Sequence, residues 1–407
     1  MIEVITGSEA AAYGVLLSRP EVICAYPITP QSRIPELLSE FCAQERLGAV
    51  FVNAESEAGA IGYIAGASAG GVRVFSSTAS QGLALMHEEL HWIAGSRLPV
   101  VITVANRSLG APGHISVDLI DSLSQRDTGW MQFYCESNQE VLDTIIQAYK
   151  TSETVSLPSM VCLDGVYLSY LAESVDIPEQ ERVNEYLPPF EAKIRVPWGY
   201  KLYLRSPTEP RTDPKGVDPT DGPRFMRGRY QLHKWEGKCL DAFSRANEEF
   251  QALFGRGYLP IEEYKCNDAD TVVVMVGSSA GTCRDVIDRL RESGHKVGMV
   301  KFKMFRPFPR ELTRNILAGR KKIAVIERDL SPGQCGIFFQ EIKWALCQDI
   351  PMYGFICGLG GGDITPELIE KAILFAINND PPPQETIWLG LEAEVCDDYD
   401  KKTIRIS

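Results

Sequence analysis

The stretch Ala49-Val50-Phe51-Val52-Asn53-Ala54-Glu55-Ser56-Glu57-Ala58-Gly59-Ala60 reads as an apolar strand, a short polar turn and the first turn of a helix. The helix continues to Gly71 through Gly62, Ala65, Gly66, Ala67, Ser68, Ala69 and Gly70, almost without bulk. A run of small residues lets a neighbouring backbone or a flat ligand come close. Glu57 stands in the first turn, so one carboxylate faces that close-approach surface.

Outward from this stretch, short apolar runs alternate with helical patterns. Strands are expected at 22–26, 49–53, 72–76, 99–104 and 159–163, and helices at 31–45, 57–71, 82–94 and 138–151. Such alternation implies a parallel sheet covered on both faces. Ligands of these sheets bind beyond the carboxyl ends of the strands. The loops to inspect are therefore Pro27–Pro30, Ala54–Glu57, Ser77–Gly82 and Ala105–Asp121. From about residue 177 to 258 proline, glycine and charge take over, which reads as a surface connector with one helix near 235–254. A second α/β unit follows, with strands expected at 271–276, 296–301, 323–326 and 352–356. The expected organisation is 1–176, a connector over 177–258, and 259–407.

The 407 residues are enough for two or three domains. Fifty-four acidic against 41 basic residues give a net charge of −13. That argues against nucleic acid or an anionic membrane as the partner. No apolar run approaches the roughly 18 residues needed to span a bilayer, and no basic segment opens the chain, so a cytoplasmic protein is expected. The 11 cysteines never fall in Cys-x-x-Cys spacing. They read as buried reduced thiols, not as ligands of an iron–sulfur cluster.

Several motifs carry possible chemistry. His87-Glu88-Glu89-Leu90-His91 matches the zinc-hydrolase pattern, with two histidines on one helix face and Glu88 as base. No third ligand is obvious, and an ordinary polar helix face explains the same residues. Gly277-x-x-x-Gly281-Thr282 and Gly358-Leu359-Gly360-Gly361-Gly362 both follow strands. Each could cradle a phosphate or simply turn the chain. Arg107 follows the fourth strand and could grip a carboxylate or make a surface ion pair. Thr29 could add a hydroxyl to the same anion, or be a turn residue between prolines.

Six motifs occur in order: Tyr26-Pro27-Ile28-Thr29-Pro30, Ser56-Glu57-Ala58-Gly59-Ala60, Thr78-Ala79-Ser80-Gln81-Gly82, Asn106-Arg107, Gln125-Arg126-Asp127-Thr128-Gly129-Trp130 and Arg306-Pro307-Phe308-Pro309. Together they make the chain resemble the alpha subunit of 2-oxoacid:ferredoxin oxidoreductases, the pyruvate:ferredoxin oxidoreductase group, over nearly its whole length. The resemblance implies an α/β chain with a pyrimidine-type parallel-sheet domain of thiamine diphosphate enzymes and a second, transketolase-C-terminal-like α/β domain. It implies CoA-dependent oxidative decarboxylation of a 2-oxoacid. Glu57 matches the cofactor glutamate, with Pro27, Ile28, Ser80 and Gln81 beside the cofactor. Thr29, Arg107 and His114 match substrate contacts. A carboxylate bonded to the pyrimidine N1′ favours the imino tautomer, whose nitrogen can take the C2 proton.

The same resemblance shows what the chain lacks. No Gly-Asp-Gly is present to hold magnesium and diphosphate. The implied magnesium and 4Fe-4S clusters therefore belong to partner subunits: a beta subunit, a gamma subunit, a ferredoxin-like cluster subunit and, for an NAD-linked acceptor, a flavoprotein. The alternatives are a zinc hydrolase or a non-catalytic scaffold. One departure concerns substrate size. The segment Pro112-Gly113-His114-Ile115-Ser116-Val117-Asp118-Leu119-Ile120-Asp121 has no tryptophan. This leads us to expect room for a branched or aryl 2-oxoacid such as phenylglyoxylate.

Overall fold

The computed structural model describes residues 1–192, 222–347, 349–384, 386–391 and 404–406. Residues 193–221 of the expected connector lie outside the described residues.

The chain opens with β1 (Ile2–Thr6), which pairs antiparallel with β8 (Ala172–Asp176). Helix α1 (Gly7–Ser18) follows at once, because Thr6 and Glu9 form a reciprocal cap. Strands β2 (Val22–Ala25), β3 (Val50–Asn53), β4 (Val74–Thr78), β5 (Val101–Asn106), β6 (Met131–Tyr134) and β7 (Ser159–Asp164) then build one parallel array. Its order is β6-β7-β5-β4-β2-β3. The chain runs outward from β2 to β3, then crosses back to place β4 on the other side of β2. The strand order therefore reverses between β2 and β4, where a crevice opens at the carboxyl ends.

Between these strands lie α2 (Arg33–Ala43), α3 (Glu57–Ala69), α4 (Ser80–Leu85), α5 (His87–Gly95), α6 (Ile120–Leu123) and α7 (Asn138–Val155). The single helix expected over 82–94 divides at Met86, which caps α4 and leads into α5. Helix α3 starts where the sequence placed it, with the Ser56 hydroxyl accepting from Gly59 N at 3.1 Å. β6 was not anticipated. It is short and wholly buried, so it lacks an alternating pattern.

Between residues 177 and 258 three helices lie among the described residues: α8 (Gln180–Tyr186), α9 (Gly222–Glu236) and α10 (Cys239–Phe254). Val183, Tyr186, Phe243 and Phe250 of this stretch are buried in the core of the first unit and not laid over its surface. The helix expected near 235–254 begins only at Cys239, because Gly237-Lys238 interrupts the chain. The second unit has a sheet of order β16-β15-β14-β13-β10-β11-β9. Its central strands are β10 (Thr271–Met275), β11 (Val297–Phe302), β13 (Lys322–Glu327) and β14 (Met352–Ile356), all parallel. β9 (Ile261–Tyr264) runs antiparallel at one edge, and β15 (Ile387–Leu389) and β16 (Ile404–Ile406) close the other. Helices α11 (Ser279–Glu292), α12 (Arg310–Leu317), α13 (Ile337–Leu346) and α14 (Pro366–Asn378) cover it.

The two units interlock. β12 (Met304–Arg306) leaves the second unit and pairs antiparallel with β6 at the edge of the first sheet. One apolar cluster runs through both, joining Leu90, Val104 and Tyr134 to Val272, Phe302 and Phe338. The motif residue Arg306 belongs to this joint: it pairs with Glu341 and donates to the Arg126 carbonyl at 3.1 Å. The Gly277 turn is also spent here. Ser278 donates its hydroxyl to Asp164 of the first unit at 2.6 Å, and its N–H at 3.2 Å. A Cβ on Gly277 would stand 2.7 Å from that carboxylate. The anion at the start of α11 is thus supplied within the chain.

The joint holds a buried ion cluster. Lys303 Nζ lies 2.6 Å from Glu140 Oε1, and both side chains are 0% exposed. Lys301 reaches Glu136 at 2.8 Å and Glu140 at 3.3 Å. Burial pushes the Glu140 carboxyl up, but Lys303 and Lys301 outweigh it and hold the group below its ordinary value. Its contribution to stability is therefore present at neutral pH and lost as pH falls through the acid range. Lys303→Met would leave Glu140 buried with the more distant Lys301 as its remaining cation and the Glu136 N–H at 2.8 Å. Urea unfolding is expected to show a loss of about 3–5 kcal/mol, partly recovered when Glu140→Gln is added; an unchanged midpoint would remove this pair as a determinant.

Candidate active site

The four loops picked out in the sequence emerge side by side, because β5, β4, β2 and β3 are neighbours. The Pro27–Pro30 turn is held by Gln31, whose side chain donates to the Tyr26 carbonyl at 3.0 Å and accepts from Ser77 Oγ at 2.7 Å. Pro27 and Thr29 stay exposed, and Ile28 is half-buried.

Glu57 is 6% exposed. Among the described residues its carboxylate has no hydrogen-bond partner. It faces the start of α4: a Cβ on Gly82 would stand 2.7 Å from Glu57 Oε1 and 2.5 Å from Thr78 Oγ1. Glycine is therefore required there, and the Thr78 hydroxyl is buried without a partner as well. Buried polar atoms without partners are uncommon, because leaving one unpaired costs about 1–3 kcal/mol. The Thr78 hydroxyl is one, and the unpartnered Glu57 carboxylate adjoins the same glycine. Glu55, two residues earlier, is exposed beside Gly59.

A second carboxylate organises the other side. Asp121 is fully buried. It accepts from Ser80 N at 2.9 Å, Arg107 N at 3.0 Å, Ser122 N at 2.7 Å and Asn106 Nδ2 at 2.7 Å. Those donors come from the start of α4, the end of β5 and α6. Ser80, held in a left-handed conformation at φ 49°, also donates its hydroxyl to the Ser108 carbonyl at 2.5 Å. Gln81 beside it points outward and is exposed.

Arg107 is braced by backbone. Its Nη1 donates to the Thr29 carbonyl and its Nε to the His114 carbonyl, both at 3.0 Å. Nη2 has no partner among the described residues, so part of the fork is open to an anion. His114 is exposed, and its Nδ1 accepts from Ser116 N at 3.2 Å, which leaves the ring proton on Nε2. The structure thus brings Thr29, Arg107, His114 and Ser80 together, with Glu57 adjoining through Gly82. The basis of the substrate-size expectation narrows to part of its segment. Val117 and Leu119 are buried in the apolar cluster shared by the two units. Asp121 serves the hub. Only the His114–Ser116 end of that segment lies beside Arg107, so the missing tryptophan does not by itself enlarge a pocket.

The zinc motif has a different use. His87 Nδ1 donates to Gln125 Oε1 at 2.6 Å, and Gln125 in turn donates to the Asp121 carbonyl at 3.2 Å. Among the described residues no group of three potential ligands surrounds it. Burial, then His87, lowers the His91 pKa.

Residues 13–227 match the family described as pyruvate flavodoxin/ferredoxin oxidoreductase, thiamine diphosphate-binding, and residues 269–369 match pyruvate:ferredoxin oxidoreductase core domain II. Over 97% of this chain and 99% of the relative, it is 42% identical to pyruvate synthase subunit PorA of Methanothermobacter thermautotrophicus. The chain belongs to the pyruvate flavodoxin/ferredoxin oxidoreductase family. It is an alpha-type subunit of the thiamine-diphosphate-dependent 2-oxoacid oxidoreductases in that family. It is also 44% identical to ketoisovalerate oxidoreductase subunit VorA of Pyrococcus horikoshii, over 89% of this chain and 90% of the relative. A solved 2-oxoglutarate:ferredoxin oxidoreductase from Magnetococcus marinus shares the fold, with a TM-score of 0.70 at 21% identity. This chain spans 65% of that chain's length, and the match covers 93% of this one. A split-gene transketolase aligns with a TM-score of 0.52 at 15% identity, over 92% of this chain and 99% of that one. The fold class expected from the sequence, a pyrimidine-type domain followed by a transketolase-C-terminal-like domain, is the one these relatives share.

Sequence reasoning gave no role to Asp121 or Ser108, and it met Thr78 and Asn106 only as members of motifs. An aspartate 14 residues after an arginine carries no spacing signal. Burial pushes the Asp121 carboxyl up from its ordinary 3.8 to about 7, while Asn106 and the backbone donors pull it back. A proton there would set an O–H against one of four N–H donors. The folded chain holds that proton more tightly than the unfolded one, so this group makes stability fall as pH rises from 3.8 to about 7. Over the same range the four-donor arrangement is completed, and activity of the assembled oxidoreductase is expected to climb. Asp121→Asn should flatten that stability slope and lower kcat/KM by roughly 10–100-fold; matched pH profiles of stability and activity check both.

Proposed function

We propose that this subunit holds the pyrimidine half of thiamine diphosphate at Glu57 and the carboxylate of a 2-oxoacid at Arg107 and Thr29. The complex it serves converts the acid to an acyl-CoA and carbon dioxide and passes two electrons to an iron–sulfur or other acceptor. The observation that carries this reading is the Glu57 carboxylate, buried and unpartnered among the described residues, with the Thr78 hydroxyl and the bare Gly82 beside it. That setting fits a flat ring bearing a basic nitrogen.

When bound, thiamine diphosphate supplies the carbanion chemistry that lets the carboxyl group depart. Glu57 holds or shares a proton at the pyrimidine N1′. Pro27, Ile28, Ser80 and Gln81 flank the ring from the β2 and β4 loops. Arg107 pre-orients the substrate carboxylate, since a fixed cation removes the entropy of finding that geometry. His114 offers Nε2–H to the same substrate. Thr29 offers its hydroxyl at the exposed rim.

The remaining parts belong to partners. The chain has no Gly-Asp-Gly and no clustered cysteines, so a beta subunit is assigned the diphosphate and magnesium, and cluster-bearing, gamma or flavoprotein subunits the electrons. The site's exposed surroundings support a docked partner. Ala58, Gly62 and Gly66 present a bare face of α3, and Tyr63 and Leu85 beside it are 54% and 60% exposed. We infer a pyruvate-like or branched 2-oxoacid, because PorA and VorA resemble this chain to a similar degree.

The test uses the assembled complex. Glu57→Gln is expected to leave assembly intact and to slow exchange of the cofactor C2 proton by about 10²–10⁴-fold. Arg107→Ala is expected to raise KM for the 2-oxoacid without changing cofactor affinity measured by calorimetry. Normal C2 exchange in the Glu57 variant would end this assignment. Specificity constants for pyruvate, 2-oxoisovalerate and phenylglyoxylate then place the substrate.

A further inference from the structure

The second unit reaches the site through a turn that the function above leaves unused. Strand β14 ends in Gly358-Leu359-Gly360-Gly361-Gly362, in which Gly358, Gly360 and Gly361 have φ of 71°, 64° and 88°. These are left-handed values that favour glycine. The turn is pinned from three sides. Arg328, 6% exposed at the end of β13, donates to the Gly362 carbonyl at 3.4 Å, and its Nε would lie 3.0 Å from a Cβ on Gly358. Tyr167 of the first unit gives its hydroxyl proton to the carboxylate of Asp363, the residue that follows the turn, and the Gly361 carbonyl lies 3.3 Å from the same oxygen. The Gly360 backbone N–H faces the Asp118 carboxyl and opposes the upward push that burial gives its pKa.

What the turn touches is the loop that holds Arg107. A Cβ on Gly361 would stand 2.1 Å from Ser116 Cβ, and one on Gly360 3.9 Å from His114 Cβ. The Arg328 carbonyl accepts from Leu119 N at 3.0 Å, which fixes the loop's far end. Ser116 passes this position on: its carbonyl accepts from Ser108 N at 3.2 Å and its N–H holds the His114 ring. The His114 carbonyl in turn accepts from Arg107 Nε at 3.0 Å and from Ser108 Oγ at 2.6 Å. A contiguous path therefore runs from Gly361 through Ser116 and His114 to the Arg107 guanidinium. Every link is a packing contact or a hydrogen bond.

We propose that the Gly358–Gly362 turn of the second unit is a positioning element for the substrate, setting the height of the His114–Ser116 segment and hence where Arg107 presents its fork to the 2-oxoacid carboxylate. The proposal rests on the assignment of Arg107 to that carboxylate. It gives the second unit a role in selectivity between short and branched acids although it supplies none of the assigned contact residues. Selectivity would respond because the turn bears on the one part of residues 112–121 that lies beside Arg107. The bare backbone of Gly361 admits the Ser116 side chain, and any added atom there displaces the loop.

The experiment compares variants in the full complex, reading kcat and KM for pyruvate and for 2-oxoisovalerate and thiamine diphosphate affinity by calorimetry. Gly361→Ala is expected to raise KM at least several-fold, toward the order of 10²-fold that a misplacement of about 1 Å costs. It should also change the ratio of kcat/KM for the two acids, with cofactor affinity unchanged. Ser116→Gly added to Gly361→Ala removes the clash and is expected to restore both quantities. Gly294→Ala is the control: it adds a Cβ at φ 88° where nothing lies within 4 Å, and should leave the ratio alone. If Gly361→Ala does not assemble, Tyr167→Phe loosens the same turn and carries the same expectation for KM and ratio. An unchanged ratio in Gly361→Ala, or one shifted equally by Gly294→Ala, overturns the positioning role. An unchanged KM in Arg107→Ala instead rejects the Arg107 assignment, so the two failures are told apart.

Discussion

One buried carboxylate underlies the arrangement of the site. Asp121 accepts from Ser80 N, Asn106 Nδ2, Arg107 N and Ser122 N. It thereby ties the turn after β4 to the turn after β5. A carboxylate offers about four acceptor positions, and all four are used. Two loops from different strands consequently share one anchor, and neither can shift without leaving a buried donor unpaired. Ser80 is held in its left-handed conformation next to this anchor. The same anchor fixes the backbone from which the Arg107 side chain leaves. Gln125 and His87 extend the network outward from the Asp121 carbonyl, which gives a structural use to one histidine of the pair that matches a metal pattern in sequence.

The second unit is attached by several kinds of contact at once. β12 extends the first sheet, an apolar cluster runs through both units, and Glu140 with Lys303 and Lys301 forms a wholly buried ion group. Such a group stabilises little over an apolar replacement but is costly to break in half. It therefore penalises any sliding of one unit on the other. Asp164 at the start of α11 adds a directional contact, with a carboxylate at the positive end of a helix. A joint of this kind is what allows the glycine turn after β14 to act on the Arg107 loop: the turn can hold a position only as firmly as the unit that carries it.

Much of the fold was legible because its determinants are local. Val22–Ala25, Val101–Asn106 and Thr271–Met275 are continuous apolar runs ended by turn residues, and buried parallel strands read that way. Ser56 before Glu57 marks a helix start through a cap three residues long. The elements that escaped reading are those whose partners are distant. β6 exists because β7 and β12 flank it, and nothing in Met131–Tyr134 says so. The Gly277 turn was open to two readings, a phosphate cradle or a plain turn, and it holds Asp164, a residue of the other unit. Val117 and Leu119 looked like pocket residues and are core, because the second unit covers them.

The sequence by itself determined the alternation of strands and helices, the absence of a magnesium motif and of clustered cysteines, and the placement of Glu57, Thr29 and Arg107 on loops after strands. These follow from composition, periodicity and short-range caps, which act within a few residues. Only the tertiary structure decided that β5, β4, β2 and β3 lie side by side, which brings those loops together. It alone showed that Glu57 is buried without a partner among the described residues, that Asp121 joins two loops, and that Gly361 packs on Ser116. Each of these depends on chain crossings and close approaches between residues tens to hundreds of positions apart. Such contacts are fixed by how apolar faces and buried charges are jointly satisfied, and no local pattern records them.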